Sequence, residues 1–305
     1  ATQPTFTEAE IGKRIRAFRK ARHITLETLA TMTGYTKGYL SKLEKSEKAP
    51  PVSTLGVIAR ALAEGYMQAG ANVSLWGHRS QSIEETKDYL IDTYSCPQRV
   101  QTIVCNALKE DEMVQALGGC CNTFGDVDVL INAAGRNRGK SSFTDRDIKN
   151  FQDVVNLNLL AGLVIPTKVI SSHWMQHRRS GNIINMASMA SYVPLSKVWA
   201  YNASKSAVMN LTMACAKEFA HAGIKVNAIA PGFFIGKQNK DLLINAETQD
   251  YTERGRNVVG RTPMNRFGQV DELIGVGLML ASEKATSFLT GVTIPVDGGF
   301  LVDNI

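Results

Sequence analysis

The chain has 305 residues and a formal net charge of +6, with 44% apolar and 20% charged residues. That length supports one large domain or two smaller ones with proper cores, and the balance is globular rather than disordered or fibrous. Residues 1–10 lack the apolar core of a signal peptide, and no uninterrupted apolar run approaches the roughly 18 residues of a membrane helix, so a cytoplasmic protein with no membrane partner is expected. The cysteines, Cys96, Cys105, Cys120, Cys121 and Cys215, are odd in number and show no metal-ligand spacing. They fit a reducing compartment and no metal site, with Cys120 and Cys121 read as buried helix packing.

Charge is uneven. Residues 1–65 hold 11 Lys/Arg and 6 Asp/Glu, a net +5, whereas residues 66–305 hold 23 and 22, a net +1. A basic amino-terminal module points to an anionic partner. Thr7-Glu8-Ala9-Glu10 is a capping box that starts a helix. Ile11, Ile15 and Phe18 recur at helical spacing, with Lys13, Arg14, Arg16, Arg19 and Lys20 around the other faces. Further helices are predicted over 26–32, 36–43 and 53–63, the last closing the small core with Leu55, Ile58 and Leu62. Ala30 is small where two helices approach, Gly34 suits a turn needing positive φ, and Leu40 packs one helix on the other.

This stretch resembles the lambda-repressor-like (xenobiotic-response-element) helix-turn-helix domains, and residues 34–44 are close to their recognition-helix pattern. The resemblance implies that Thr36, Lys37, Tyr39, Ser41 and Lys42 meet the major groove or phosphates of duplex DNA. A helical protein-interaction module with a basic face is the competing reading. The expected domains are 1–64 and 65–305.

The rest of the chain alternates short apolar strands, at 73–76, 100–105, 126–131, 183–187 and 224–230, with helices. Tyr201 and Lys205 stand four residues apart, on one face of a helix. A free tyrosine titrates near 10, and a lysine ammonium one turn away favours the phenolate. Such a pair can work as an acid-base group near neutral pH, although the spacing alone is common. Ser188 lies thirteen residues upstream of Tyr201, at the end of an apolar run. Strand end, loop and then a helix bearing Tyr-x-x-x-Lys resembles the short-chain dehydrogenase/reductase family. Asn132-Ala133-Ala134-Gly135, Pro231-Gly232 and the tail from Gly260 to Phe300 extend the likeness over roughly 65–305.

That resemblance implies an α/β fold with a Rossmann-like doubly wound parallel sheet, a homo-oligomer, and NAD(P)-dependent reduction of a small-molecule carbonyl or oxidation of an alcohol. Tyr201 would give a proton to the carbonyl oxygen and Ser188 would hold that oxygen. Lys205 would lower the tyrosine pKa and bind the ribose, and Asn158 would anchor a relay water. Asn156 is a neighbouring candidate. On the cofactor side the likeness implies Asn106 near the adenine, Asn132 and Gly135, Pro231 and Gly232 near the nicotinamide, and the Ile235 amide on the carboxamide. His78 and Arg79 stand where the family separates its cofactors, with no acidic residue beside them, which favours NADP(H). Gly236 replaces a usual threonine. Pro194-Leu195-Ser196 and residues 233–239 would line the substrate side, in a run most like members acting on sugar acids and polyols. Lys237 is a candidate for a substrate carboxylate. His173 and His177, at i, i+4, are taken as surface residues.

One departure is large. Residues 66–73 look like the end of the family's first helix and the start of its second strand. Before them the family needs a strand and a Thr-Gly-x-x-x-Gly-x-Gly loop, whose glycines let backbone approach the pyrophosphate. Counting back places the Gly-x-Gly end at Val57-Ile58-Ala59, inside the fourth predicted helix. The join reads as a chimera that deletes the first strand and the loop. The expected consequences are weak NADP(H) binding and a sheet with two unpaired edges. Two functions follow: an oxidoreductase carrying a DNA-binding module, or a DNA-binding regulator whose dehydrogenase-like domain senses or dimerises.

Overall fold

A computed structural model describes residues 16, 19–20, 24–28, 41, 54–235, 243–245 and 250–303. The chain divides into two compact units, Ala1–Val52 and Ser53–Ile305. In the first, Leu26, Glu27 and Thr28 are helical, and Thr25 caps them by accepting a hydrogen bond from the Thr28 amide at 3.0 Å. Ser41 is helical and half-buried. Thr36, Lys37, Tyr39 and Lys42 lie outside the described residues.

The second unit runs α1 (Thr54–Gln68), β1 (Val73–Gly77), α2 (Ser80–Tyr94), β2 (Val100–Val104), α3 (Glu110–Phe124), β3 (Val129–Asn132) and α4 (Ile148–Val155). A π-helical stretch, Asn156–Val164, joins α4 to α5 (Ile165–Gln176). There follow β4 (Gly181–Met186), α6 (Trp199–Phe219), β5 (Ile224–Pro231), α7 (Glu253–Gly260), α8 (Ile274–Ala281) and β6 (Thr293–Val296). Every strand pairing is parallel. Alternate strand residues face opposite helical layers. Ile183 and Val226 pack in the core with Val169 and Trp174 of α5, and Ile184 and Ile229 with Leu62 of α1 and Leu280 of α8.

Among the described residues the strands form two sheets, β1 with β2 and a separate β3-β4-β5-β6. Among the described residues no strand lies between β1 and β3, where the resemblance puts the family's first strand. The edges on either side are half-buried along nearly their whole length, whereas β4 is buried throughout. Unpaired backbone groups along such edges are costly if sealed away from water.

Side-chain packing replaces the missing ladder, and α1 supplies much of it. Ala63 and Met67 pack with Leu90 and Val100 beside the small sheet, while Leu55, Ile58, Leu62 and Tyr66 pack on the larger one. Tyr66 Oη donates to the Gly277 carbonyl at 2.8 Å. The sequence expectation gave Leu55, Ile58 and Leu62 to the amino-terminal core; the structure packs them on the larger sheet of the second unit. The apolar stripe does not stop at Leu62 but continues through Tyr66 and Met67 along one helix of 15 residues. Burying Leu55, Ile58 and Leu62 on the sheet stabilises the second unit by roughly 5–8 kcal/mol.

A second correction concerns length. The uninterrupted helical run Ile148–Gln176 is long and apolar enough to cross a membrane, although the sequence shows no such apolar block. Much of its apolar surface is in the core: Leu163, Val169, Ile170 and Trp174 are buried, and Trp174 Nε1 donates to the Val127 carbonyl at 2.7 Å, while Ile148, Leu160 and Met175 are exposed.

Candidate active site

β4 ends at Met186, and two residues later Ser188 leaves the sheet in extended backbone, its Oγ accepting from the Ala190 amide at 3.2 Å. α6 then crosses behind the strand ends. Ser191 Oγ donates to the Lys205 carbonyl at 2.6 Å, pinning the loop to α6. Lys205 is buried, and its Nζ donates to the Met186 carbonyl at 2.6 Å. It lies 5.9 Å from the centre of the Tyr201 ring. Asn158 is fully buried in the π-helical stretch. Its Oδ1 accepts from the Arg136 amide at 2.6 Å, and its Nδ2 donates to the Arg136 carbonyl at 3.0 Å and to Ser204 Oγ at 3.2 Å. Strand, loop and helix thus bring Ser188, Tyr201, Lys205 and Asn158 to the carboxyl ends of β3 and β4.

The electrostatics differ from the sequence expectation. Burial raises the Tyr201 pKa above the ordinary phenol value, and the hydrogen bond with Ser188 opposes that only in part. Burial also pulls Lys205 down to about 8. Loss of water acts against both charged forms here, and it is the largest cause of each shift.

The lysine shift has a sign that can be measured. Below pH 8 the folded protein carries a buried ammonium, and the penalty is fully present. Between about 8 and the ordinary lysine value of about 10.5 the folded chain loses its proton first, and the penalty fades as pH rises. At 1.36 kcal/mol per pH unit this is roughly 3 kcal/mol. The lost bond to Met186 subtracts about 1 kcal/mol. Lys205→Met is therefore expected to stabilise the second unit by about 2 kcal/mol at pH 7, with the gain shrinking towards pH 10. Urea unfolding at the two pH values checks it, and a gain that grows with pH would contradict it.

Comparison with known proteins bears on this arrangement. A profile described as enoyl-(acyl carrier protein) reductase matches residues 55–301. The chain belongs to the short-chain dehydrogenase/reductase family. A helix-turn-helix profile matches residues 15–64, so both profiles claim 55–64, the residues that form most of α1. The uncharacterized oxidoreductase UxuB of Bacillus subtilis is 35% identical, over 81% of this chain and 91% of its own length. A Haemophilus structure assigned as a D-mannonate oxidoreductase with bound NAD superposes with a TM-score of 0.74 at 31% identity, covering 82% of this chain and 93% of that one. A Beutenbergia cavernae structure assigned as a gluconate 5-dehydrogenase, with NADP at low occupancy, gives 0.70 at 31% identity, covering 80% and 92%.

The residues that the dehydrogenase/reductase pattern assigns to the cofactor divide into two groups. Pro231 and Gly232 sit at the end of β5, where the Gly232 amide donates to the Val296 carbonyl at 2.9 Å. A Cβ on Gly232 would meet Asp297 Cα at 2.6 Å, so only glycine lets the two chains approach there. Ile235 lies three residues after Gly232, and the intervening Phe233 and Phe234 line a cavity of about 350 Å³ with Met264, Arg266 and Asp297. Gly135 has φ +152, and a Cβ there would strike Asn158 Oδ1 at 2.5 Å. His78 and Arg79 follow β1, and burial first, then Arg79 and Arg136, lower the His78 pKa.

Two predicted cofactor residues have other work. Asn132 is buried and its Nδ2 donates to Thr167 Oγ1 at 3.0 Å and Asn185 Oδ1 at 2.9 Å. Asn185 in turn donates to Thr212 Oγ1 at 2.9 Å. This chain ties β3, β4, α5 and α6 together, and Asn132 is thereby a structural residue. Asn106 turns its Oδ1 back to accept from the Leu108 amide at 3.1 Å. Sequence reading missed Arg136 and Asn185. Asn185 had a signal, an amide inside an otherwise apolar buried strand, which requires a partner. Asn156 is exposed.

His173 also departs from expectation. It is not a plain surface residue: Cys121 Sγ, the Asp126 carboxylate and the imidazole lie within 4.8 Å of one another. Arg179 already pairs with Asp126 at 2.8 Å. Gly236 and Lys237 lie outside the described residues.

Proposed function

We propose that the second unit is an oxidoreductase for the carbonyl or alcohol group of a sugar acid or polyol, with NADP(H) favoured, and that the first unit binds duplex DNA. The convergence of Ser188, Tyr201, Lys205 and Asn158 carries the enzyme reading. Ser188 would orient the carbonyl oxygen, and Tyr201 would supply its proton. Lys205 sits one turn behind with a pKa close enough to neutral to exchange protons with its surroundings. Bound nicotinamide cofactor would supply the hydride. Relatives assigned to gluconate and mannonate support the sugar-acid class. His78 and Arg79 at the end of β1, close to Arg136, support a 2′-phosphate.

The nicotinamide half of the cleft fits a cofactor, and the pyrophosphate half does not. Val57, Ile58 and Ala59 lie within α1, where backbone amides bond inside the helix, and Ile58 is buried. This favours a second reading, a regulator whose dehydrogenase-like unit senses a ligand without turning it over. An NADPH-consumption assay against a carbonyl panel separates the two. Steady consumption with any carbonyl supports the enzyme, and none across the panel supports the regulator.

The DNA reading rests on the helix-turn-helix match and on the net +5 of residues 1–65. Because α1 belongs to the second unit, the whole chain is the right material. Its affinity for duplex DNA is expected to fall steeply with added salt, since Lys and Arg displace condensed counterions. Lys37→Ala and Lys42→Ala are each expected to weaken binding and flatten the logarithmic salt slope by about one. Fluorescence anisotropy over a salt series tests this, and salt-independent binding would indicate a protein-interaction module.

A further inference from the structure

The amino end of β3 lies at the other end of the strands from Ser188 and Tyr201, and it gathers three side chains that can ligate a metal. Cys121 is in the last turn of α3, Asp126 in the turn before β3, and His173 in the last turn of α5. Cys121 Sγ, an Asp126 oxygen and an imidazole nitrogen lie within 4.8 Å of one another. His173 Nε2 is buried without a hydrogen-bond partner and stands 3.5 Å from Asp126 Oδ1. A buried ring nitrogen is normally satisfied, and a metal ion is one way to satisfy it.

The three side chains sit on a braced frame. The Gly125 amide donates to the Cys121 carbonyl at 2.9 Å and closes α3. Gly125 has φ +79, which glycine takes without strain, and the chain turns there into Asp126. Trp174, next to His173, ties α5 to the same turn through the bond from its Nε1 to the Val127 carbonyl at 2.7 Å. The His177 ring flanks that of His173 at 4.3 Å. Arg179 takes the other Asp126 oxygen, Oδ2, at 2.8 Å and also reaches Asp128 at 3.3 Å. Its single charge is therefore shared by two carboxylates, and one negative charge is left in excess. Ionisation of Cys121 raises the excess to that of a divalent cation.

We propose that Cys121, Asp126 and His173 bind one Zn²⁺ ion, with water as the fourth ligand, and that the ion clamps α3 to α5 at the amino end of β3. Thiolate and imidazole together select zinc over magnesium or calcium, which prefer all-oxygen sets. Zinc bonds of about 2.0–2.3 Å in a tetrahedron set ligand atoms about 3.3–3.6 Å apart. The 3.5 Å between Asp126 Oδ1 and His173 Nε2 already meets that spacing. The approach left to Sγ is at most on the order of 1 Å, within reach of a side-chain rotation. Asp126 is half-exposed and gives a hydrated ion its way in. Binding forms a zinc–sulfur bond and releases the thiol proton to water. Arg179 holds the ligating carboxylate from behind, as outer partners of metal sites do. Sequence spacing hid the site because its ligands come from two helices and a turn.

Cobalt titration of the full chain, stripped of metal and kept reduced without added thiol, tests this. Co²⁺ takes the tetrahedral geometry of zinc and reports a sulfur ligand by an intense thiolate-to-cobalt charge-transfer band. That band is expected to saturate at one equivalent per chain. Zn²⁺ should abolish it by displacement, and Mg²⁺ and Ca²⁺ should not. Cys121→Ser should remove the band, whereas Cys96→Ser, before β2, should keep it. His173→Gln and Asp126→Asn should each weaken zinc binding at least about tenfold. Zinc should also raise the thermal unfolding midpoint of the wild type and leave that of His173→Gln unmoved. If Cys121→Ser does not fold, the two other variants decide. No band at one equivalent, a band that survives Cys121→Ser, displacement by Mg²⁺, or zinc affinity unchanged in His173→Gln and Asp126→Asn would overturn the proposal.

Discussion

Titration of the whole chain with NADPH is expected to show binding at least about a hundredfold weaker than in a relative that keeps the glycine loop. Two or three charge-assisted hydrogen bonds to the pyrophosphate are lost, at about 1.5–3 kcal/mol each. At tenfold per about 1.4 kcal/mol that is a hundredfold or far more. Nothing in α1 compensates. The side chains of Val57, Ile58 and Ala59 prevent the close approach that glycine permits, and Ile58 is committed to the core with Ile184 and Leu280. The break between β1 and β3 adds to the loss, because a doubly wound sheet binds its ligand at the point where strand order reverses, beside the first strand. His78, Arg79 and Arg136 partly offset it as a basic group beside that break. Low-micromolar binding would show that another segment rebuilds the phosphate site and would overturn this reading of the join.

Tyr201→Phe is expected to lower turnover at saturating NADPH by about 10²–10⁴-fold, the usual contribution of a positioned acid. The change removes one hydroxyl. The ring packing stays, and the Tyr201 carbonyl still accepts from Ser204 Oγ at 2.9 Å. Stability should fall by no more than about 1 kcal/mol, the net worth of one hydrogen bond. Because burial raises the Tyr201 pKa, the wild-type hydroxyl stays protonated through neutral pH and is ready to donate. Carbonyl reduction should therefore hold across pH 6–8 rather than decline there. Turnover unchanged in the Phe variant would remove Tyr201 from the mechanism, and a decline through that range would contradict its protonation state.

Several features could be read from sequence because they depend on neighbours along the chain. Tyr201 and Lys205 share a helix face by their four-residue spacing alone. Ser188 stands at a strand end because an apolar run stops before it, and Pro231-Gly232 marks the end of β5. Ala30, Gly34 and Leu40 have the local spacing of a helix-turn-helix, and the corresponding profile matches. The lack of a Thr-Gly-x-x-x-Gly-x-Gly run before residue 66 is likewise read from residue identity alone.

Only tertiary packing could decide where α1 belongs. Residues 55–64 fit two families, and an apolar stripe specifies burial without naming a partner. The larger sheet offers Ile184, Met186 and Ile229, and Tyr66 adds a hydrogen bond to Gly277, so the helix packs there. Asn132 became structural because Thr167 and Asn185 come from distant segments to meet it. The Tyr201 pKa moved up because burial is a property of the folded chain that helical spacing cannot express. Spacing along the chain sets which side chains share an element, but desolvation and long-range proximity arise only when the elements pack.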